Sequence, residues 1–121
     1  MSIQPILAHK VFPASMRNIF VATVLANSEN AIRRNGTSAD LAKAAEYMQD
    51  IATFTSKKPV FLTTFLEESN KGNGYTYHII TNTSSKPVCS FPTINVHQKP
   101  LETIKLLRDS IISRFSPEKQ V

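Results

Sequence analysis

From Pro59 to Phe115 the apolar residues fall into three short stretches and then recur at three- and four-residue intervals, which predicts three β-strands followed by an amphipathic helix. The first stretch, Val60 to Leu66, is apolar on both alternating faces, as expected of a strand covered on both sides or lying centrally. Tyr75 to Thr81 alternates more clearly, with Tyr75, Tyr77 and Ile79 on one face and Thr76, His78 and Ile80 on the other. Val88 to Val96 supplies the third strand, and polar turns at Glu67 to Gly74 and Thr83 to Lys86 connect the three. If Thr83 to Lys86 is the whole loop, Ile80 faces Cys89, His78 faces Phe91 and Tyr77 faces Pro92. Pro92 donates no ladder hydrogen bond, so its strand is expected at an edge or bulged, and a poor place for another chain to add.

The closing helix opens on Pro100 and carries Leu101, Ile104, Leu107, Ile111 and Phe115 on one stripe, which Leu106 and Ile112 widen sideways. Ser116-Pro117 ends it. Upstream, Thr37 or Ser38 can cap a helix with Asp40 in its first turn and Leu41, Ala44, Ala45, Met48 and Ile51 along one face. That helix should run to about Phe54, since Lys57-Lys58-Pro59 ends helical character. Ala14 to Arg34 reads as a helix stopped by Asn35-Gly36, although Ile19 to Leu25 is also a continuous β-compatible run that periodicity alone does not resolve. Ile3 to Phe12 can form a short strand. The expected fold class is α+β: two N-terminal helices, the first alternatively strands, then a three-stranded antiparallel meander and a C-terminal helix packed on the sheet.

At 121 residues the chain matches a single domain, 1–121, and its 41% hydrophobic and 19% charged residues describe a globular composition. The N-terminus lacks the basic and unbroken apolar regions of a secretory signal, and the apolar run Ile19 to Ala26 is far short of a membrane span. A single cysteine, Cys89, allows no intrachain disulfide, so a cytoplasmic location without membrane insertion is expected. The formal charge of +5 is spread along the chain: five basic and four acidic residues in 1–56, four and two in 57–98, five and three in 99–121. The adjacent pairs Arg33-Arg34 and Lys57-Lys58 each fall at a predicted helix end, where cations complement exposed carbonyls.

Candidate chemistry is sparse. His9, His78, His97 and Cys89 form no Cys-x-x-Cys, His-x-x-x-His or Glu-x-x-His spacing, so no metal is expected. The expected register sets Cys89 and His78 diagonally on one face, without a third residue to orient a nucleophile and base. Lys71-Gly-Asn-Gly74 is followed by a strand rather than by a helix N-terminus, so it fits neither nucleotide fingerprint, and no cofactor is expected. Adjacent Glu67 and Glu68 point to opposite faces of an extended strand.

These readings predict a non-catalytic protein-interaction module, such as an adaptor, assembly chaperone, inhibitor or immunity-type protein, binding another protein or a second copy through a helix face or oligomer interface. The residues expected to meet the partner are Leu106, Ile112, Val21, Leu25, Tyr75 and Tyr77. The alternative is a basic nucleic-acid-binding domain that gathers Lys57, Lys58, Lys71, Lys86 and Lys99 on one face. The helix, three strands and helix from Asp40 to Phe115 are similar in order to double-stranded-RNA-binding domains. The lysine-rich start of that family's last helix corresponds here to Gln98 to Lys105, with two lysines and an acid. The element order also resembles small scaffolds of the longin or roadblock type, a likeness that implies partner binding.

Overall fold

The computed structural model describes residues 19–58, 60–68, 74–81 and 84–116. In chain order these form α1 (Ile19–Asn35), α2 (Ser38–Lys57), β1 (Leu62–Glu68), β2 (Tyr75–Thr81), β3 (Ser84–Pro92), α3 (Asn95–Gln98) and α4 (Pro100–Phe115). The arrangement is α+β, with helices, then a three-stranded antiparallel sheet, then a C-terminal helix packed on it. The candidate strand Ile3 to Phe12 and the proposed helical start at Ala14 to Asn18 lie outside the described residues.

Ile19 to Leu25 is helical, which settles the ambiguity of that run. α1 meets α2, α3, α4 and β1, and Val21, Val24, Leu25, Ala26, Ala31 and Ile32 are all buried. A helix enclosed on so many sides has little polar face, and its sequence therefore looks like a continuous apolar stretch. Gly36 permits the tight corner into α2. A Cβ there would stand 3.0 Å from the Ile32 carbonyl oxygen, whose partner is the Gly36 amide at 2.7 Å.

α2 starts with a reciprocal capping box: Asp40 N–H donates to Thr37 Oγ1 at 3.1 Å, and Thr37 N–H donates to Asp40 Oδ2 at 3.2 Å. It buries Ala44, Met48, Ile51 and Thr55 and runs one turn past Phe54, to Lys57. α4 buries Ile104, Leu107 and Ile111, the stripe expected of it, and Pro100 occupies its first turn. α2 and α4 are parallel neighbours. Asp40 and Leu101 line one cavity at their N-terminal ends, Arg108 Nη1 binds Asp50 Oδ2 at 2.7 Å midway, and Phe54 and Ile112 line one groove at their C-terminal ends.

The sheet order is β1-β2-β3, so β1 and β3 are its edges. Pro92 accordingly sits on an edge strand, as its missing donor requires. The expectation that Val60 to Leu66 is a doubly covered or central strand is corrected: β1 is an edge, and Phe61, Phe65 and Leu66 are exposed. The hairpin register is also corrected by one residue, with Tyr77 opposite Phe91, His78 opposite Ser90 and Ile79 opposite Cys89. β3 begins at Ser84, and the pairing shifts between Ile79 and Thr81. This irregularity takes up residues that the sequence pattern assigns to the turn. β3 also ends at Pro92 rather than Val96, because Asn95 to Gln98 turns into the short α3.

α1 rests against β1 and α4 against β3, both on the side where Leu62, Ile79 and Phe91 are buried. Phe65, His78 and Ser90 lie on the opposite side.

Candidate functional site

The one-residue register shift decides what the reactive side chains can do together. Moving the pairing by one position exchanges faces along a whole strand. Cys89 thus joins Ile79 on the helix side, while His78 is on the other. The expected diagonal neighbourhood of Cys89 and His78 does not form. Desolvation pushes the Cys89 thiol up to about 11, against the lowering effect of a hydrogen bond with Ser110 of α4. Such a thiol holds its proton at neutral pH and is a poor nucleophile.

His78 has acquired partners from both neighbouring strands. Its Nδ1 lies 2.6 Å from Ser90 Oγ on β3, its Nε2 lies 2.7 Å from Glu67 Oε1 on β1, and the Phe65 ring stacks on it at 6.0 Å. A hydroxyl, an imidazole and a carboxylate have the composition of a nucleophile, base and orienting group. Here the carboxylate side chain is 60% exposed, and the trio spans the side of the sheet away from the helices. The arrangement ties three strands together across that surface. Ser90 is hidden from the sequence pattern because its place opposite His78 depends on the irregular β2–β3 pairing near Thr81, and Glu67 because its place depends on the β1–β2 register, which the spacing of polar and apolar residues leaves open. Among the described residues no group of three or more His, Cys, Asp or Glu side chains is placed to hold a metal ion.

The residues expected to meet a partner do not form one patch. Val21 and Leu25 are each 0% exposed, enclosed within the core, and are withdrawn as contact residues. Tyr77 is half-buried against Phe91, with ring centroids 5.7 Å apart, whereas Tyr75 is 48% exposed at the end of its strand. Leu106 and Ile112 lie on opposite flanks of α4. Leu106 shares the flank of Ser110, which reaches Cys89 on β3, while Ile112 turns toward α2.

Ile112 there helps to form a groove of about 460 Å³ with Asp50, Thr53, Phe54, Lys57 and Lys58. Phe54 and Ile112 give it a half-buried apolar floor, and Lys57 and Lys58 stand exposed at its rim. Asp50 is already engaged by Arg108, whose guanidinium also lies 4.6 Å from the Tyr47 ring centroid. The two neighbouring carboxylates, Asp50 first, raise the Arg108 pKa further above its ordinary value.

The five lysines of the nucleic-acid alternative are not gathered. Lys57 and Lys58 end α2, and Arg114 in the last turn of α4 donates to the Lys86 carbonyl at 2.5 Å, which brings Lys86 to the same end of the molecule. Lys99 precedes α4 and is therefore roughly 24 Å away along that helix, at 1.5 Å rise per residue. Lys71 lies outside the described residues.

Geometry and composition thus define an α+β domain with a lysine-rimmed groove between two parallel helices. Compared with family models, with curated proteins and with solved structures, the chain has no significant match in any of the three. Among the described residues no helix is long and apolar enough to cross a membrane.

Proposed function

We propose that this chain is a non-catalytic, cytoplasmic protein-interaction module acting through a helix face, namely the groove between α2 and α4. The observation that carries the reading is that half-buried Ile112 and Phe54 line one groove together with exposed Lys57 and Lys58. A concave apolar floor with a few polar groups at its rim is the usual form of a recognition site. The other partner-facing candidates, the exposed Leu106 and Tyr75, lie outside this groove.

The second reading, a nucleic-acid binder, is favoured by the collection of Lys57, Lys58, Lys86 and Arg114 at one end of α2 and α4. It predicts binding that falls steeply with salt.

Purified protein, weighed in solution and used to capture partners from a lysate with and without nuclease, separates the two. Stoichiometric protein capture that survives nuclease and is lost in Thr53→Trp, which fills the groove mouth, supports the interaction module. Capture that vanishes with nuclease overturns it in favour of the second reading.

A further inference from the structure

We infer that the α2–α4 groove recognises an acidic, apolar peptide segment, one whose large apolar side chain enters between Phe54 and Ile112 while flanking carboxylates meet Lys57 and Lys58. The inference rests on the interaction-module reading and adds the chemistry of the partner.

The charge balance of the groove selects the sign. Four cations of the helices are matched by acids within the chain, Arg33 with Glu29, Lys43 with Glu46, Lys105 with Asp109, and Arg108 with Asp50 and Asp109, and Arg114 is spent on the Lys86 carbonyl. No such partner accompanies Lys57 or Lys58 among the described residues. Asp50, the acid in the groove wall, is cancelled by Arg108 at 2.7 Å. The C-terminal ends of α2 and α4 oppose an anion, each acting as about half a negative charge. Two full ammonium charges exceed that, leaving the rim with roughly one net positive charge.

Shape selects the class of ligand. The 460 Å³ groove is shallow and open, with half-buried Phe54 and Ile112 beside exposed Lys57 and Lys58, so an apolar side chain must cover the first pair for it to be desolvated. A lipid headgroup layer or a nucleic-acid backbone satisfies the lysines but leaves Phe54 and Ile112 wet. A peptide supplies both parts in adjacent residues, and the exposed lysines give it orientation and association rate.

The test is a titration of the full chain into a fluorescein-labelled Asp-Asp-Leu-Phe-Asp-Asp peptide, followed by anisotropy. Saturable binding is expected, weakened roughly tenfold or more when Leu-Phe is replaced by Ser-Ser or the acids by lysines. Lys57→Glu combined with Lys58→Glu, both exposed positions, is expected to weaken binding by roughly the same factor. Thr53→Trp is expected to do so without changing charge, and circular dichroism confirms that each variant folds. No saturation at about millimolar protein overturns the inference, as does equal affinity for the Ser-Ser peptide or insensitivity to both variants. Tighter binding to phosphatidylserine vesicles or to single-stranded RNA overturns it too. If the peptide fails while nuclease-resistant capture through the groove persists, only the partner chemistry falls. If that capture is also absent, the interaction module falls with it.

Discussion

Thr37 carries both halves of the junction before α2: its hydroxyl accepts from the Asp40 amide, and its own amide donates to the Asp40 carboxylate. Thr37→Ala removes one acceptor and leaves a first-turn amide to water. The expected cost is about 1 kcal/mol, read as a lower urea midpoint at unchanged slope. Ile79 is wholly buried beneath the helices, and Ile79→Ala should cost roughly 2–5 kcal/mol by the same measurement. Cys89 makes a prediction in pH. Its folded thiol ionises near 11 against an ordinary value of 9.0, so the unfolded chain loses the proton first as pH rises. The stability that Cys89 contributes is therefore complete below about pH 9 and is lost progressively up to about pH 11. Urea melts at about pH 8 and about pH 10.5 should show a decline that Cys89→Ala flattens. A Cys89→Ala protein that loses as much stability as the parent between those values contradicts this assignment.

At the scale of elements, the sheet is held by specific cross-strand pairs, and the best test of its register is aromatic. Tyr77 and Phe91 are directly opposed, with rings 5.7 Å apart and inclined by 53°. A double-mutant cycle to alanine should give a coupling of about 0.5–1.5 kcal/mol, whereas Tyr77 and Pro92 should show none. The sequence is most legible where an element has one buried face and a distinct cap. α2 has both, α4 opens on Pro100 without a side-chain cap, and the stripes of both are found where the spacing puts them. α1 is harder because burial on several sides narrows its polar face to a strip through Thr23, Asn27 and Arg34, and α3 is too short to show a period. β1 misleads for the opposite reason: it carries apolar residues on both faces, Phe65 on one and Leu66 on the other, and both are exposed. The groove itself is legible only as parts. Lys57, Lys58 and Ile112 stand out individually, but their meeting depends on the parallel alignment of α2 and α4, which no local pattern encodes.

For the whole molecule, the layout of charge matters more than its sum. The formal +5 is the balance of 14 basic and nine acidic residues spread along the chain, and Lys57, Lys58, Lys86 and Arg114 share one end while Lys99 is distant, so association with polyanions should be modest and strongly weakened by salt. The parallel pairing of α2 and α4 has a further consequence in time. Parallel neighbours cannot be joined by a tight turn, and here the chain spends an entire meander returning to the start. Arg108 and Asp50 are 58 residues apart in sequence yet 2.7 Å apart in space. The hairpins close short loops, while the clasp of α4 on α2 must close a long one, which makes it late to form in folding and early to part when the molecule opens. A ligand seated between Phe54 and Ile112 would bridge that late-made seam. It would slow unfolding more than it speeds folding, acting as a latch on the finished chain.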